Sequence, residues 1–214
     1  MKVAIYSSIT AAKDSLKEPL NRSGADLVIF SDRPWAEPGW DVRPACAIFA
    51  DPRRNARAHK LLAHQYLPDY DYSLWIDGSI RLLVAVRDLI ETYLAQSDIV
   101  LFQHSVRECI YDEAAVCAAL GLDDPAVIAA QMEKYVRKGH PSRSGLHESG
   151  VVLRRHNSRI ESFNDAWWSE LNRYSCRDQL SLDYVLRRQD ISPAAFPGTI
   201  YDNPGLFAYE GHQL

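Results

Sequence analysis

The sequence has few of the features that mark secreted, membrane-spanning or nucleic-acid-binding proteins. It contains four cysteines but no C-x-x-C pair, so no zinc or redox motif is visible and reduced thiols are expected at Cys46, Cys109, Cys117 and Cys176. No run of about 18 apolar residues is present, which predicts no transmembrane segment. Lysine and arginine total 24 against 28 acidic residues, a balance that argues against nucleic acid as a partner. The N-terminal segment becomes polar too soon for a signal peptide and predicts a first strand.

Apolar strand-like runs alternate with helical patterns along the chain, which predicts an α/β fold. Candidate strands lie at residues 3–7, 25–30, 45–49, 72–76, 98–103 and 151–154. Candidate helices lie at residues 52–67, 86–96, 112–120, 125–136, 160–171 and 178–188, the first of them capped by Asp51. Residues 33–44 are proline-rich and predict irregular structure, and residues 139–147 form a polar loop that is a candidate lid. No repeat or linker divides residues 1–214, so one domain is expected.

The stretch from Tyr70 to Leu82, YDYSLWIDGSIRL, carries the strongest chemical signal in the sequence. An apolar strand ends there at Asp77, and Gly78 permits a sharp turn. Ligands of open α/β sheets bind outside the carboxyl ends of strands, and a carboxylate there commonly holds Mg²⁺ or Mn²⁺ against a diphosphate. An ordinary Asp-Gly turn explains the same residues about equally well. A phosphatase of the haloacid dehalogenase type is rejected, because Trp75 stands where its aspartate nucleophile would be.

The order of elements resembles the GT-A nucleotide-diphospho-sugar transferases, in which an Asp-x-Asp motif binds metal and sugar nucleotide. Four segments resemble more closely a glycosyltransferase-like family long catalogued as a domain of unknown function: RRNARAHKLLAHQYLPDYDYSLWIDGSI, HSVRECIYDEA, HESGVVLRRHN and RDQLSLDYVL. The resemblance implies a GT-A, Rossmann-like fold with a central mixed sheet flanked by helices. It also implies a divalent cation, Mn²⁺ or Mg²⁺, held by Asp77 with Ser79 and the C-terminal His212. Ser79 departs from the motif, since a second aspartate is expected there and serine is a weaker ligand.

Two basic residues on the helix before the motif are candidate diphosphate ligands. Arg57 and Lys60 share one helical face, and the resemblance places them beside the nucleotide. Their charges would stabilise a leaving diphosphate, although a solvated basic face is the other explanation.

Three further residues are candidate cofactor-binding residues. Gly78 forms the turn after Asp77, His104 follows a strand end and could bind acceptor or metal, and Gln179 is a sugar-binding neighbour of Asp178. A structural role for the histidine remains equally open.

Two acidic residues are the candidate catalytic groups. The resemblance places Glu148, in the segment HESG, and Asp178, at a helix start, near the acceptor hydroxyl or the donor sugar. A general base must reach that hydroxyl within hydrogen-bond distance. The alternatives are an exposed loop position for Glu148 and a capping box formed by Ser175 and Asp178.

These residues together predict a metal-dependent glycosyltransferase of the hexosyltransferase kind. It would move a sugar from a nucleoside-diphosphate sugar to the hydroxyl of a glycan or lipid-linked acceptor, in surface polysaccharide or glycoconjugate synthesis. Its expected location is cytoplasmic, either free or peripheral at the inner face of the membrane. The alternative is a non-catalytic protein that binds sugar nucleotides or glycans through a degenerate site, which the serine at position 79 favours.

Overall fold

The computed structural model of the protein describes residues 1–11, 14–15, 17–35 and 38–211. Its strands are β1 (Val3–Ile9), β2 (Asp26–Ser31), β3 (Trp40–Pro44), β4 (Tyr72–Ile76), β5 (Ile80–Leu82), β6 (Ile99–Gln103), β7 (His147–Arg155), β8 (Ala194–Ala195) and β9 (Phe207–Tyr209). The described residues form a seven-stranded sheet in the order β3-β2-β1-β4-β7-β6-β8, and β5 pairs with β9 in a second, small sheet. Strand β7 runs antiparallel to its neighbours β4 and β6, whereas β1, β2, β3 and β4 are parallel. The predicted mixed sheet is therefore confirmed.

Helices cover both faces of the large sheet. They are α1 (Pro52–Leu61), α2 (Ala63–Tyr66), α3 (Val86–Tyr93), α4 (Ile110–Ala119), α5 (Pro125–Arg137), α6 (Ser158–Arg173) and α7 (Gln179–Arg188). Helix α1 begins as the sequence predicts, because the Asp51 carboxylate accepts a hydrogen bond from the backbone N–H of Arg53 and Pro52 occupies the first turn. No helix in the described part of the chain is long and apolar enough to cross a bilayer. All four cysteines are free thiols.

The core consists of two apolar layers, one on each face of the sheet. Successive residues of a strand point to opposite faces, so Tyr6 and Trp75 join one layer while Ile5 and Leu74 join the other. Because both faces are covered, strands β1, β2 and β4 are buried almost throughout. This explains why their sequences are continuous apolar runs.

Three predictions of local structure are wrong. The third strand is Trp40–Pro44, inside the stretch expected to be irregular, and residues 45–49 are not a strand. The sequence pattern does not reveal β3, because β3 is a half-exposed edge strand, where polar residues and proline are tolerated. Strand β7 begins at His147, since Gln103 pairs with His147 and Phe102 with Glu148, so the HESG segment is itself part of the sheet.

The strand register brings four chain segments together at one edge of the large sheet. Strands β1, β4 and β6 end at this edge, and the antiparallel β7 begins there. Ile76 pairs with Val151, and the backbone N–H of Asp77 donates to the carbonyl of Gly150 at 2.9 Å. The residue that follows β4 therefore lies beside the start of β7, as expected for ligand sites at the carboxyl edge of an α/β sheet.

Candidate functional site

Asp77 is fixed at the end of β4 by contacts with both its backbone and its side chain. The indole N–H of Trp75 donates to its Oδ1 at 2.7 Å, and the Lys60 ammonium lies 3.4 Å from the same oxygen. The Asp77 carbonyl also accepts a hydrogen bond from the N–H of Ile80, which closes a turn. The residue thus forms the Asp-Gly turn and also directs a carboxylate, held on one side, toward the sheet edge.

Lys60 is a fully buried cation that connects two acidic residues. Its Nζ lies 2.7 Å from Asp178 Oδ2, 3.4 Å from Asp77 Oδ1 and 3.3 Å from the hydroxyl of Ser149. Its side chain is 1% exposed, so it lies behind the cleft described below rather than in its wall. Lys60 therefore acts on a ligand through the two carboxylates that it holds. Direct contact with a diphosphate, which the sequence suggested for Lys60, would require the ammonium group to leave both carboxylates.

The other basic residues of α1 differ in what they contact. Arg57 lies on the same face as Lys60, and its Nε donates to Asp178 Oδ1 at 3.0 Å. Arg53 pairs with Asp51, while Arg54 donates to the backbone carbonyls of residues 171 and 174. Burial lowers the pKa of His59 to about 4, so its ring is neutral at pH 7. Among these basic residues, Arg57 both contacts Asp178 and is partly exposed to the cleft.

Asp178 is a buried carboxylate whose oxygens accept from three side chains. It stands at the N-cap position of α7, but its side chain makes no cap hydrogen bond, so the capping-box prediction is wrong. It accepts instead from Arg57, Lys60 and the hydroxyl of Ser149, the last at 2.9 Å. Burial alone would raise the pKa of Asp178, but the charges of Arg57 and Lys60 outweigh it and hold the pKa far below its usual range. The group is ionised and a weak base.

Asp178, Lys60, Arg57, Asp77 and Ser149 are called the buried charge network below. Its members come from α1, from the end of β4, from the start of β7 and from the start of α7. A cation shared by two buried carboxylates is favourable only when all its partners are present. The network therefore fixes these four elements relative to one another.

A cleft with two lobes lies in front of this network. The first lobe, of about 290 Å³, is lined by the end of β1 and by Trp75, Asp77 and Gly78. The second lobe, of about 360 Å³, extends toward the start of β7, the start of α7 and the chain from Ile200 to Tyr209. Arg57, Asp77 and Arg177 line both lobes, and we call these three residues the waist.

The other residues predicted to contact the donor also lie around this cleft. Gly78 lines the first lobe, and a Cβ there would come within 2.8 Å of the Asp14 carboxyl group, so a larger residue would displace the Asp14 side chain. Ser79, His104 and Gln179 line the second lobe. Nδ1 of His104 accepts from the backbone N–H groups of residues 106 and 107, both at 3.0 Å, which favours a structural role for this nitrogen. His212 lies outside the described residues.

Glu148 is the acidic residue of the cleft that is least satisfied by the protein. Glu148 is only 7% exposed, which contradicts the exposed loop position considered from the sequence. Its Oε1 accepts from the backbone N–H of Ser105 at 3.4 Å, and its Oε2 has no hydrogen-bond partner in the part of the chain that is described. Burial raises the pKa of Glu148, and the charge of Glu113 adds to the rise. It is therefore a better base than Asp178.

Sequence reasoning missed several residues that line the cleft or organise it. Ser149 joins Lys60 to Asp178, and Arg177 completes the waist. Tyr201 and Tyr209 form the outer rim of the second lobe. Arg177 had a usable signal, since it precedes Asp178 in the same segment. The two tyrosines had none, because they lie in a tail without helical or strand periodicity.

The fit of a divalent cation depends on how many ligands the substrate supplies. Among the described residues, no group of three or more His, Cys, Asp or Glu side chains is arranged to hold a metal ion. Mg²⁺, however, is often held by one or two carboxylates, with phosphate oxygens and water completing the shell. Asp77 and Ser79 line the second lobe together, and Asp77 Oδ2 has no hydrogen-bond partner in the described ranges. The pair suits a cation that arrives with a diphosphate.

A larger cavity lies away from these residues. It measures about 570 Å³ and is lined by Gln103, His147, Asp183 and neighbouring residues of α7 and its following loop. His147 Nδ1 lies 2.5 Å from Asp183 Oδ1, and Asp183 also accepts from the His147 backbone N–H. None of the described residues that are predicted to bind donor, metal or acceptor lines this cavity. The two-lobed cleft is therefore the candidate active site.

Two proteins of Arabidopsis thaliana are similar in sequence to the chain. The probable hexosyltransferase MUCI70 is 33% identical over 147 residues, which make up 64% of this chain and 25% of that protein. The alkaline ceramidase TOD1 is 27% identical over 157 residues, 68% of this chain and 34% of that protein. The chain thus spans between a quarter and about a third of the length of these relatives.

Two solved glycosyltransferase structures share the fold. The apo structure of the bifunctional glycosyltransferase WbbM aligns with a TM-score of 0.52 at 13% identity, over 92% of this chain and 38% of that one. A glycosyltransferase involved in the glycosylation of the major capsid of PBCV-1 aligns with a TM-score of 0.51 at 9% identity, over 100% of this chain and 96% of that one. The fold is the GT-A fold, as the resemblance implied. The profile of the TOD1/MUCI70, glycosyltransferase-like domain matches residues 42–201, and the chain therefore belongs to that family.

Proposed function

We propose that this chain is a glycosyltransferase that moves a hexosyl group from a nucleoside-diphosphate sugar to an acceptor hydroxyl. The observation that carries the proposal is the waist, where two guanidinium groups and the Asp77 carboxylate separate two lobes at the carboxyl edge of the sheet. The GT-A fold, the glycosyltransferase-like family and the relative named as a probable hexosyltransferase support it. Surface polysaccharide or glycoconjugate synthesis remains the proposed context.

The donor would lie across the waist. The first lobe takes the nucleoside, because it lies at the ends of β1 and β4, where α/β sheets bind nucleotides. The diphosphate lies at Arg57 and Arg177, whose planar guanidinium groups suit phosphate oxygens. The hexosyl group then enters the second lobe, beside Ser149 and Gln179. The two arginines stabilise the negative charge that develops on the diphosphate as it leaves.

A divalent cation is part of the proposal. Asp77 and Ser79 would hold Mn²⁺ or Mg²⁺ together with the diphosphate. When bound, such an ion supplies further neutralisation of the leaving group. Lys60 keeps the Asp77 carboxylate oriented whether or not the ion is present, because it lies on the other side of the same carboxylate.

Glu148 and Asp178 would have different roles in the transfer. The acceptor oxygen bonds to the anomeric carbon, the bond from that carbon to the phosphate oxygen breaks, and the nucleoside diphosphate leaves with the electron pair. Glu148 takes the proton of the acceptor hydroxyl, since its raised pKa and unpaired Oε2 suit a base. Asp178 is already paired with two cations and positions Arg57 and Lys60 instead.

A binding protein without catalysis is the rival function. It is favoured by Ser79, which is a weaker metal ligand than the aspartate of an Asp-x-Asp motif. Such a protein would bind the same nucleotide in the same cleft but would not consume it. Binding and turnover therefore have to be measured in the same preparation.

The test is a thermal-shift screen of nucleoside diphosphates and nucleotide sugars with Mn²⁺ or with EDTA, followed by an assay for nucleoside diphosphate release. We expect one nucleotide class to stabilise the protein with Mn²⁺ and the matching nucleotide sugar to be consumed. The variant Asp77→Ala should stay folded and lose the Mn²⁺-dependent part of the shift. An unchanged shift in Asp77→Ala would remove Asp77 from the site, and binding without consumption would establish the non-catalytic alternative.

A further inference from the structure

Two tyrosines at the outer rim of the second lobe are exposed although they touch each other. Tyr201 is 65% exposed and Tyr209 is 45% exposed. Their ring centroids lie 4.9 Å apart with the planes inclined at 69°. Both line the second lobe, and we call the pair the tyrosine rim. Contiguous exposed apolar surface at the mouth of a polar cavity is typical of a ligand contact.

The backbone beneath the tyrosine rim is firmly held. Tyr209 ends β9 and pairs with Ile80 of β5, just after the Asp77 turn. Asn203 closes the loop that carries Tyr201: its amide donates to three backbone carbonyls and its carbonyl oxygen accepts from two backbone N–H groups. The exposed rings thus stand on a fixed scaffold. Such rings contribute contact area at a low cost in conformational entropy.

The second lobe also holds polar atoms that the protein leaves unsatisfied. Glu148 Oε2, Gln179 Nε2 and Arg177 Nε are all inaccessible to solvent and have no hydrogen-bond partner within the described ranges. Buried polar atoms are nearly always paired in folded proteins, because an unpaired one loses its hydrogen bonds to water without replacement. All three residues line the second lobe, so a small rotation of their side chains would bring these atoms to a ligand that carries several hydroxyl groups.

The tyrosine rim and these polar atoms are neighbours. Glu148, Tyr201 and Tyr209 line the same lobe. Partial desolvation of the phenol raises the pKa of Tyr201, and the negative charges of Glu148, Tyr209 and Asp77 add to the rise. The Tyr201 hydroxyl is therefore within electrostatic reach of the Glu148 carboxylate. One ligand ring could cover the tyrosine faces and hydrogen-bond to Glu148 at its edge.

We propose that the tyrosine rim and Glu148 form the acceptor subsite and that the acceptor is a carbohydrate, bound through a pyranose ring. This rests on the proposed function, since it specifies the acceptor for the same cleft. A pyranose has an apolar C–H face, which an aromatic ring covers, and an edge of hydroxyls for Glu148 and Gln179. A lipid chain would need an extended apolar groove, whereas the lobe between the rim and the waist is lined mainly by charged and polar side chains such as Arg107, Glu113 and His104.

The test compares the double variant Tyr201→Ala/Tyr209→Ala with Tyr201→Phe/Tyr209→Phe, which keeps the ring faces. The first measurement is saturation-transfer NMR with methyl pyranosides in the presence of UDP or GDP and Mn²⁺. The second is the KM for p-nitrophenyl pyranosides as acceptors of the sugar from the donor that the protein consumes. Val136→Ala, which removes an exposed apolar side chain of α5 outside the cleft, is the surface control.

We expect at least one pyranoside to receive saturation from the wild-type protein and the alanine pair to abolish it. The acceptor KM should rise about tenfold or more in the alanine pair and stay within about threefold in the phenylalanine pair, since the ring faces supply the stacking energy. Val136→Ala should match the wild type. Absence of saturation of every pyranoside, equal KM values in the alanine pair, or transfer only to an N-acylsphingosine in micelles would each overturn the proposal. Failure of the wild type to bind any nucleoside diphosphate would instead contradict the proposed function, and the pyranoside NMR still decides the subsite.

Discussion

The buried charge network and the second lobe differ in whether the protein pairs their buried polar groups. In the network, Asp178 accepts from Arg57, Lys60 and Ser149, so the protein itself satisfies the carboxylate. In the second lobe, Glu148 is almost equally buried but one of its oxygens has no partner among the described residues. The pKa values move in opposite directions for this reason, down for Asp178 and up for Glu148.

This difference separates a structural role from a chemical one. A fully paired buried ion holds its neighbours in a fixed geometry. Removing one partner lowers the free energy of unfolding, and the paired carboxylate is a weak base. A buried carboxylate with an unpaired oxygen and a raised pKa lowers stability when it is ionised, but it can bind a hydroxyl and accept its proton. We therefore expect changes in the network to appear first in stability and changes in the second lobe to appear first in turnover.

The largest expected effect is on stability, in Lys60→Met. Removing the cation leaves the buried Asp178 carboxylate with Arg57 but without Lys60, and the partly exposed Asp77 loses the same partner. Loss of one partner of a buried pair costs about 3–5 kcal/mol. Urea denaturation would measure the free energy of unfolding. The double variant Lys60→Met/Asp178→Asn should recover part of the loss, because it removes the uncompensated charge. If the double variant is as unstable as the sum of the single variants, the two groups are not coupled as the structure indicates.

The next effect is on turnover, in Glu148→Gln. The amide keeps the size of the side chain but cannot accept the acceptor proton, so we expect kcat to fall by about 10²–10⁴. Stability should stay the same or rise, because the amide removes a buried charge. The pH profile is the second readout. An unperturbed glutamate has a pKa of about 4.3. Because the pKa of Glu148 is raised, the acid limb of the wild-type pH profile should lie above that value, and it should vanish in the variant. A profile that keeps its acid limb in Glu148→Gln would assign the base to another residue.

A third prediction concerns the pH dependence of stability. The folded-state pKa of Asp178 is depressed below its unfolded value of about 3.9, so its contribution is present above that pH and is lost as the pH falls through the folded pKa. Urea midpoints between pH 3 and pH 7 should therefore fall more steeply below pH 4 in the wild type than in Asp178→Asn. Parallel curves for the two proteins would show that Asp178 does not carry this acid sensitivity.

The smallest effect is expected for Gly150→Ala, which tests the boundary between the two regions. The added Cβ would come within 2.9 Å of Ile200 Cδ1 and 3.2 Å of Ile80 Cδ1, and would contact Asp77 Oδ2 at 3.5 Å. We expect a loss of about 1–3 kcal/mol from overpacking, together with weaker Mn²⁺-dependent nucleotide binding. A variant with normal binding despite the lower stability would show that the position of Ile200 is not coupled to Asp77.

The sequence predicts those parts of the site that are local in the chain. Asp77 and Gly78 follow an apolar strand directly, and Arg57 and Lys60 follow from helical spacing, so both pairs could be selected from short segments. The pairing of Lys60 with Asp178 could not be selected in this way, because it depends on how α1 and α7 pack on the same face of the sheet. Strand β3 and the tyrosine rim also could not be predicted from a hydrophobic pattern. Strand β3 is a half-exposed edge strand, and the loop that carries Tyr201 is held by hydrogen bonds of Asn203, so neither shows a hydrophobic period.

The most direct test of the account is the structure of the protein with the nucleoside diphosphate and Mn²⁺ that stabilise it. The account predicts the nucleoside in the first lobe and the phosphates within hydrogen-bond distance of Arg57 and Arg177, with Asp77 facing the cation. A nucleotide bound instead in the larger cavity beside His147 and Asp183, with an empty waist, would contradict the assignment of the active site.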